Sequence, residues 1–263
     1  MKHITSRDNP HFRTLKKLSA SGRERRKTGR AWLDGIHLIE AYGQHVGVPD
    51  EVVVSESGTR RQEIARYLES GKAGEAITVL ADALFDDLAL VETPSGIMAV
   101  VTPPRCGRPP DLEVDSVLLD GIQDAGNLGS ILRSAAAAGF RQLLLSADCA
   151  QPWSPKTLRA AMGAHFQLDI HEGRELPAFL ASYRGRAVLT ALDAPASLYA
   201  LDLKEPVAWV FGSEGQGVRP DVARSTPLQV RIPMPGATES LNVAAAAAVC
   251  LFETVRQRQC LRP

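Results

Sequence analysis

The chain of 263 residues has no net charge, four cysteines and no long apolar run, and each shortage removes a class of function. A formal charge of +0 means that bulk charge selects no partner. Cys106, Cys149, Cys250 and Cys260 show neither C-x-x-C spacing nor a neighbouring histidine pair, which argues against a zinc site or a disulfide framework. Cys149 and Cys250 stand in apolar surroundings and are expected in the core. No apolar stretch approaches the roughly 18 residues of a membrane span. The first ten residues lack the apolar segment of a secretion signal, so a cytoplasmic protein without membrane or metal partners is the expectation. The P-loop pattern G-x-x-x-x-G-K-[ST] is missing, as are G-x-G-x-x-G, G-x-S-x-G and H-E-x-x-H, so the chain offers no standard nucleotide, hydrolase or zinc-peptidase signature.

What is present is a globular composition, 44% hydrophobic and 23% charged, long enough for one or two domains. Charge is unevenly placed: Lys2 to Arg30 holds ten Lys/Arg and two Asp/Glu, a net +8 offset by the rest of the chain. A basic arm with a helix through Phe12, Leu15 and Leu18 is expected there, and such arms often meet phosphate. Residues 31–102 alternate strands (31–33, 51–55, 77–80, 97–102) with helices (35–46, 60–70, and one capped by Asp82), which reads as a small α/β domain. Four prolines and a glycine in Pro103-Pro-Arg-Cys-Gly-Arg-Pro-Pro110 can continue neither helix nor central strand, so residues 103–112 are expected to be a stiff, exposed linker.

Beyond it, residues 113–263 repeat the α/β pattern, with apolar strands at 114–119, 141–146, 187–192, 207–211 and 228–232 suited to an open, mostly parallel sheet covered on both faces. Ligands of such sheets bind beyond the carboxyl ends of the strands. Three polar segments fall there. In Asn127-Leu-Gly-Ser-Ile-Leu-Arg133, Asn127 suits a turn, and Arg133 enters a helix of small residues where close packing would demand an anion or acceptor. Phe211-Gly-Ser-Glu-Gly-Gln-Gly217 is a glycine loop carrying Glu214. Ile232-Pro-Met-Pro-Gly-Ala-Thr-Glu-Ser-Leu-Asn242 leads into an alanine-rich helix that Ser240 or Asn242 can cap. Each segment alone also fits a turn, a surface charge or a helix cap.

Together and in this order, the three segments resemble the three signature motifs of the SpoU/TrmH family of SPOUT-class RNA methyltransferases. The similarity extends to Pro155-Lys156, Arg159 and Met162-Gly163, and backward to Gly35-Ile-His-Leu-Ile-Glu40 and Pro94-Ser-Gly-Ile-Met-Ala-Val100. The chain departs from many relatives at Ala161, where they carry serine. The resemblance implies a catalytic domain with a deep trefoil knot, an N-terminal ribosomal-protein-like RNA-binding domain, and a homodimer with its site near the subunit interface. It implies S-adenosylmethionine bound by Leu192, Gly212, Ile232 and Leu241, and methyl transfer to a ribose 2′-hydroxyl of structured RNA. By the same resemblance Arg133 is the catalytic arginine, as base or electrostatic clamp, Asn127 orients it or the ribose, Glu214 holds the network, and Ser240 and Asn242 shape the site. A catalytically inactive RNA-binding or ribosome-assembly protein and a base-methylating SPOUT enzyme are the alternatives. Ribosomal RNA and transfer RNA are both open as substrate.

Overall fold

Two sheets organise the computed structural model, in which residues 1–104 and 106–259 are described; Arg105 of the linker and Cys260, with the three residues after it, lie outside the described residues. The chain divides into two compact units, one made of Met1–Pro104 with Pro152–Phe166 and the other of the remaining described residues.

The first unit carries strands β1 (Lys2–Ile4), β2 (Ala31–Asp34), β3 (Glu51–Ser55), β4 (Ile77–Leu80) and β5 (Ile97–Val101), ordered β1-β4-β3-β5-β2. The β1–β4 and β3–β4 pairs are parallel, and β5 runs antiparallel to β3 and β2. Its helices are α1 (Pro10–Ala20), α2 (Gly22–Thr28), α3 (Ile36–His45), α4 (Gln62–Glu69) and α5 (Asp82–Asp86). Successive strand residues point to opposite faces, and both faces are covered. Ala31, Leu33, Ile97 and Ala99 pack with Ile39 and Tyr42 of α3 and Ile64 of α4. Trp32, Met98 and Val100 pack with Phe12, Leu15 and Leu18 of α1 and with Phe85 of α5.

The basic stretch is therefore built into the sheet and its core, not a separate arm. β1 pairs with β4 through Lys2↔Thr78 to Ile4↔Leu80. Only α2 buries none of its residues. The Asp82 cap is also corrected. Ala81 occupies the N-cap of α5, and the Asp82 carboxylate accepts a hydrogen bond from Ser57 N at 2.9 Å instead.

The second unit carries β6 (Ser116–Asp120), α6 (Ala125–Ala137), β7 (Gln142–Leu145), β8 (Asp169–His171), β9 (Arg186–Thr190), β10 (Ala196–Ser197), β11 (Val207–Gly212) and β12 (Leu228–Arg231). In chain order its helices also include α8 (Leu176–Ser182), α9 (Pro220–Arg224) and α10 (Val243–Gln259), while α7 (Pro155–Ala161) belongs to the first unit. Strand order is β10-β12-β9-β11-β6-β7-β8, and every pairing of these strands is parallel. Leu118, Leu189 and Val210 meet Leu176 and Phe179 of α8 and Val222 of α9 on one face. On the other, Trp209 donates from Nε1 to Thr254 Oγ1 of α10 at 3.1 Å, and α10 packs along α6. Because the sheet is parallel, the carboxyl ends of β6, β9, β11 and β12 lie along one edge, with Gly212 in register with Asp120.

The second half of the linker is not a free spacer. Asp111 N donates to Gln142 Oε1 of β7 at 2.7 Å, Gln142 Nε2 returns a bond to Asp111 O at 2.8 Å, and Arg108 pairs with Asp169 of the edge strand β8 at 2.6 Å. A strand edge left open is an aggregation hazard, and this segment lies along it.

Residues 152–166 pack into the first unit, with Leu158 and Phe166 in its core and Ser154 capping α7 through Thr157 N at 3.2 Å. Within this segment His165 is fully buried, donating from Nε2 to Pro152 O at 2.7 Å while Nδ1 has no partner among the described residues. Burial lowers its pKa from 6.5 to about 4, against the opposing pull of the Pro152 carbonyl. The folded chain therefore keeps this ring neutral while the unfolded chain protonates near 6.5. The stability it contributes is complete above about pH 6.5 and is lost as pH falls toward 4, about 3 kcal/mol in all. Urea unfolding between pH 7 and 4.5 is expected to show a steeper loss for the native chain than for His165→Gln. Equal slopes would contradict this.

Candidate active site

The three polar segments meet at the carboxyl edge of the second unit's sheet. The first is helical, not a loop. Asp124 caps α6 and accepts from Asn127 N at 2.8 Å, so Asn127 sits in the first turn. From there its side chain donates to Glu214 Oε1 at 2.6 Å. Asn242 Nδ2 reaches both Asn127 Oδ1 at 3.0 Å and Glu214 Oε1 at 2.8 Å. Asn242 Oδ1 accepts from Ala244 N at 2.9 Å and Ala245 N at 3.3 Å, so it, not Ser240, caps α10. One carboxylate and two carboxamides thus tie together residues separated by as many as 115 positions.

The glycine loop closes on itself, with Ser213 N to Gly217 O and Gly217 N to Ser213 O both at 2.9 Å. A Cβ added to Gly212 would overlap the backbone of Gly217 and Val218, so only glycine fits there. Two residues that the motifs did not single out brace this loop. Asp120, buried at the end of β6, accepts from Arg219 N at 2.7 Å and from Arg219 Nε at 2.9 Å. An acidic residue ending an otherwise apolar strand was the available signal.

Beside the cluster, a cavity of about 510 Å³ is lined by all four residues assigned to cofactor, Leu192, Gly212, Ile232 and Leu241. Glu214, Ser240 and Asn242 line it too. Ligand cavities of this size are typically apolar with a few directed polar groups. Leu192 and Leu241 are 59% and 39% exposed and lie on the wall of this cavity, where an apolar part of a ligand would cover them. A cavity with apolar walls, a backbone approach open only at glycine and polar groups at one end fits a molecule that is part aromatic base and part amino acid, as S-adenosylmethionine is.

Arg133 lies elsewhere. The helical period turns Leu128, Ile131, Leu132 and Ala135 inward and leaves Ser130, Arg133 and Ala137 outward. The close packing expected around Arg133 is absent: it is exposed, makes no hydrogen bond or ion pair among the described residues, and does not line the cavity. Small residues on this face leave it open instead of crowding the arginine.

Known proteins resemble this chain in sequence and fold. The SpoU rRNA Methylase family matches residues 116–252, and the MRM3-like substrate binding domain matches residues 9–99. An uncharacterized tRNA/rRNA methyltransferase of Synechocystis sp. is 35% identical over 97% of this chain and 94% of its own length. The 23S rRNA (guanosine(2553)-2′-O)-methyltransferase RlmP of Bacillus subtilis is 32% identical over 96% of this chain and 98% of its own. The crystal structure of the SpoU methyltransferase AviRb from Streptomyces viridochromogenes in complex with the cofactor AdoMet superposes with a TM-score of 0.84 at 25% identity, over 95% of this chain and 98% of that one. Fold, site and these likenesses define a SPOUT-class RNA methyltransferase that uses S-adenosylmethionine. The chain belongs to the SpoU rRNA methylase family.

Proposed function

We propose that this enzyme methylates a ribose 2′-hydroxyl in structured ribosomal RNA. The observation that carries the reading is the Asn127–Glu214–Asn242 cluster at the polar end of the glycine-walled cavity. S-adenosylmethionine supplies an activated methyl on its sulfonium, so the protein must place the hydroxyl and favour its deprotonation. Leu192, Gly212, Ile232 and Leu241 would hold the cofactor, Ser240 would bond to cofactor or ribose, and the cluster keeps the motifs in register. Arg133, a cation with no carboxylate partner among the described residues, is assigned the role of clamp on the flanking phosphate and on the oxygen as it loses its proton.

An exposed Arg133 outside the cavity acts most directly across a symmetric interface, where the partner's cavity would face it. The outer face of α10 supports this: Phe252 is 47% exposed beside Ala245 and Val249. A homodimer and a knot formed by the segment that ends in Asn242 are both part of the proposal. Sedimentation of the pure protein as a monomer at micromolar concentration would remove the first.

The named relative acts on ribosomal RNA, and the exposed basic helix α2 suits a phosphate backbone. Arg25 is committed to Leu18 O and Ser19 O, whereas Arg23, Arg26 and Lys27 are free of protein partners among the described residues. Replacing those three by glutamine is expected to lower the slope of log affinity against log salt by about two, without unfolding the unit. An unchanged slope would place the RNA on another surface.

The reading itself is tested on total RNA from a strain lacking the gene, incubated with labelled S-adenosylmethionine. Label in a nucleotide that resists alkaline cleavage is expected. Label on a base methyl would refute it.

A further inference from the structure

Asp120 ends β6 with 2% of its surface exposed, and Arg219 is the one cation paired with it among the described residues. Taking a carboxylate out of water is costly, and a buried ion pair seldom adds net stability over apolar packing. Its better-attested effect is to select one arrangement among several. An apolar side chain could finish this strand end, so the carboxylate points to an arrangement that has to be held.

That arrangement is the glycine loop, and Asp120 meets both of its roots. On the way in, Gly212 is its register partner across the β6–β11 pair. On the way out, Arg219 donates to its carboxylate from the backbone N at 2.7 Å and from Nε at 2.9 Å. Between the roots stand Gly215 and Gly217, residues that allow many backbone conformations. The Ser213–Gly217 bonds close the loop on itself and leave its exit to be fixed by Arg219. Gly217 and Val218 return close against Gly212, and all three line the cofactor cavity together with Glu214. Asp120 and Arg219 do not belong to that lining among the described residues. A shift at Arg219 therefore reaches the cofactor only through the loop.

We propose that Asp120, acting through Arg219, is a positioning residue that holds the glycine loop in its cofactor-binding conformation before S-adenosylmethionine arrives. A loop already in its bound conformation loses less freedom when the ligand binds, which raises affinity. The pair touches no reacting atom. Its effect is on cofactor binding, whether the methyl goes to a ribose or to a base.

The test titrates S-adenosylmethionine calorimetrically into the native protein, Asp120→Asn, Arg219→Gln and the double variant, below the unfolding transition of each. Each single variant is expected to bind about ten- to a hundredfold more weakly, the range set by loss of one hydrogen bond between charged groups. The double variant is expected to bind no more weakly than the weaker single one, and Arg219→Lys, which keeps the charge, to recover part of the loss. A pair that only stabilised the fold would lower the melting temperature and leave the affinity of the folded protein native. Affinity within twofold of native in Arg219→Gln, or single losses that multiply in the double variant, overturns the proposal. If Asp120→Asn does not fold, Arg219→Gln decides alone, because that side chain is 41% exposed and the bond from the backbone N of residue 219 to Asp120 remains.

Discussion

Arg133→Ala is expected to lower kcat by about 10²- to 10⁴-fold while leaving the melting temperature and the cofactor affinity unchanged. The separation follows from its place. Arg133 is exposed, touches no partner among the described residues and lies outside the cofactor cavity, so truncation removes no contact on which folding depends. Surface changes of this kind alter stability by less than about 0.5 kcal/mol. Single-turnover methylation, calorimetry with S-adenosylmethionine and thermal unfolding together read the three quantities. A variant with native kcat would end the assignment of Arg133 to catalysis. Arg133→Lys then distinguishes the two roles. A clamp keeps part of its effect with lysine and leaves the pH profile of kcat in place, which is the expected result. A base would shift the alkaline limb of that profile.

Gly212→Ala is expected to abolish cofactor binding and to destabilise the second unit by about 3 kcal/mol or more. The new methyl would overlap the backbone of Gly217 and Val218, and backbone held by the paired Ser213–Gly217 bonds cannot yield as a side chain would. Gly215→Ala in the same loop is the control. Nothing lies within 4 Å of the added carbon and no positive φ is required, so stability should stay within about 0.5 kcal/mol of native. Calorimetric titration and thermal unfolding of the two variants give the contrast. Tight cofactor binding by Gly212→Ala would mean that the loop opens more easily than its hydrogen bonds suggest.

Much of this was legible in order along the chain. Short apolar runs such as 31–33 and 97–102 marked strands, and the carboxyl-end rule for parallel sheets located the site edge from the chain alone. The Ser154-Pro155 pair, an N-cap residue before a proline at the first helical position, is the sequence pattern that opens α7. The misses have local causes. β8 and β10 have three and two residues, too short to show a period. The basic composition of the first thirty residues concealed a strand, because β1 exposes Lys2 and His3 and buries only Ile4. Asp82 looked like a cap because capping residues are short and acidic, but Ser57 claimed its carboxylate.

The sequence by itself determined the two α/β units, the parallel sheet and the family, since hydrophobic period and motif order are properties of the chain. Tertiary structure alone decided which side chains meet. Asn127, Glu214 and Asn242 join through bonds spanning up to 115 positions, a distance at which no local pattern constrains pairing. It also decided that Arg133 stands uncovered: Leu128, Ile131, Leu132 and Ala135 turn inward on α6, and no element among the described residues packs over the arginine on the opposite face. The pairing of Asp120 with Arg219 arises in the same way: strand ends distant in sequence become neighbours only when the sheet forms.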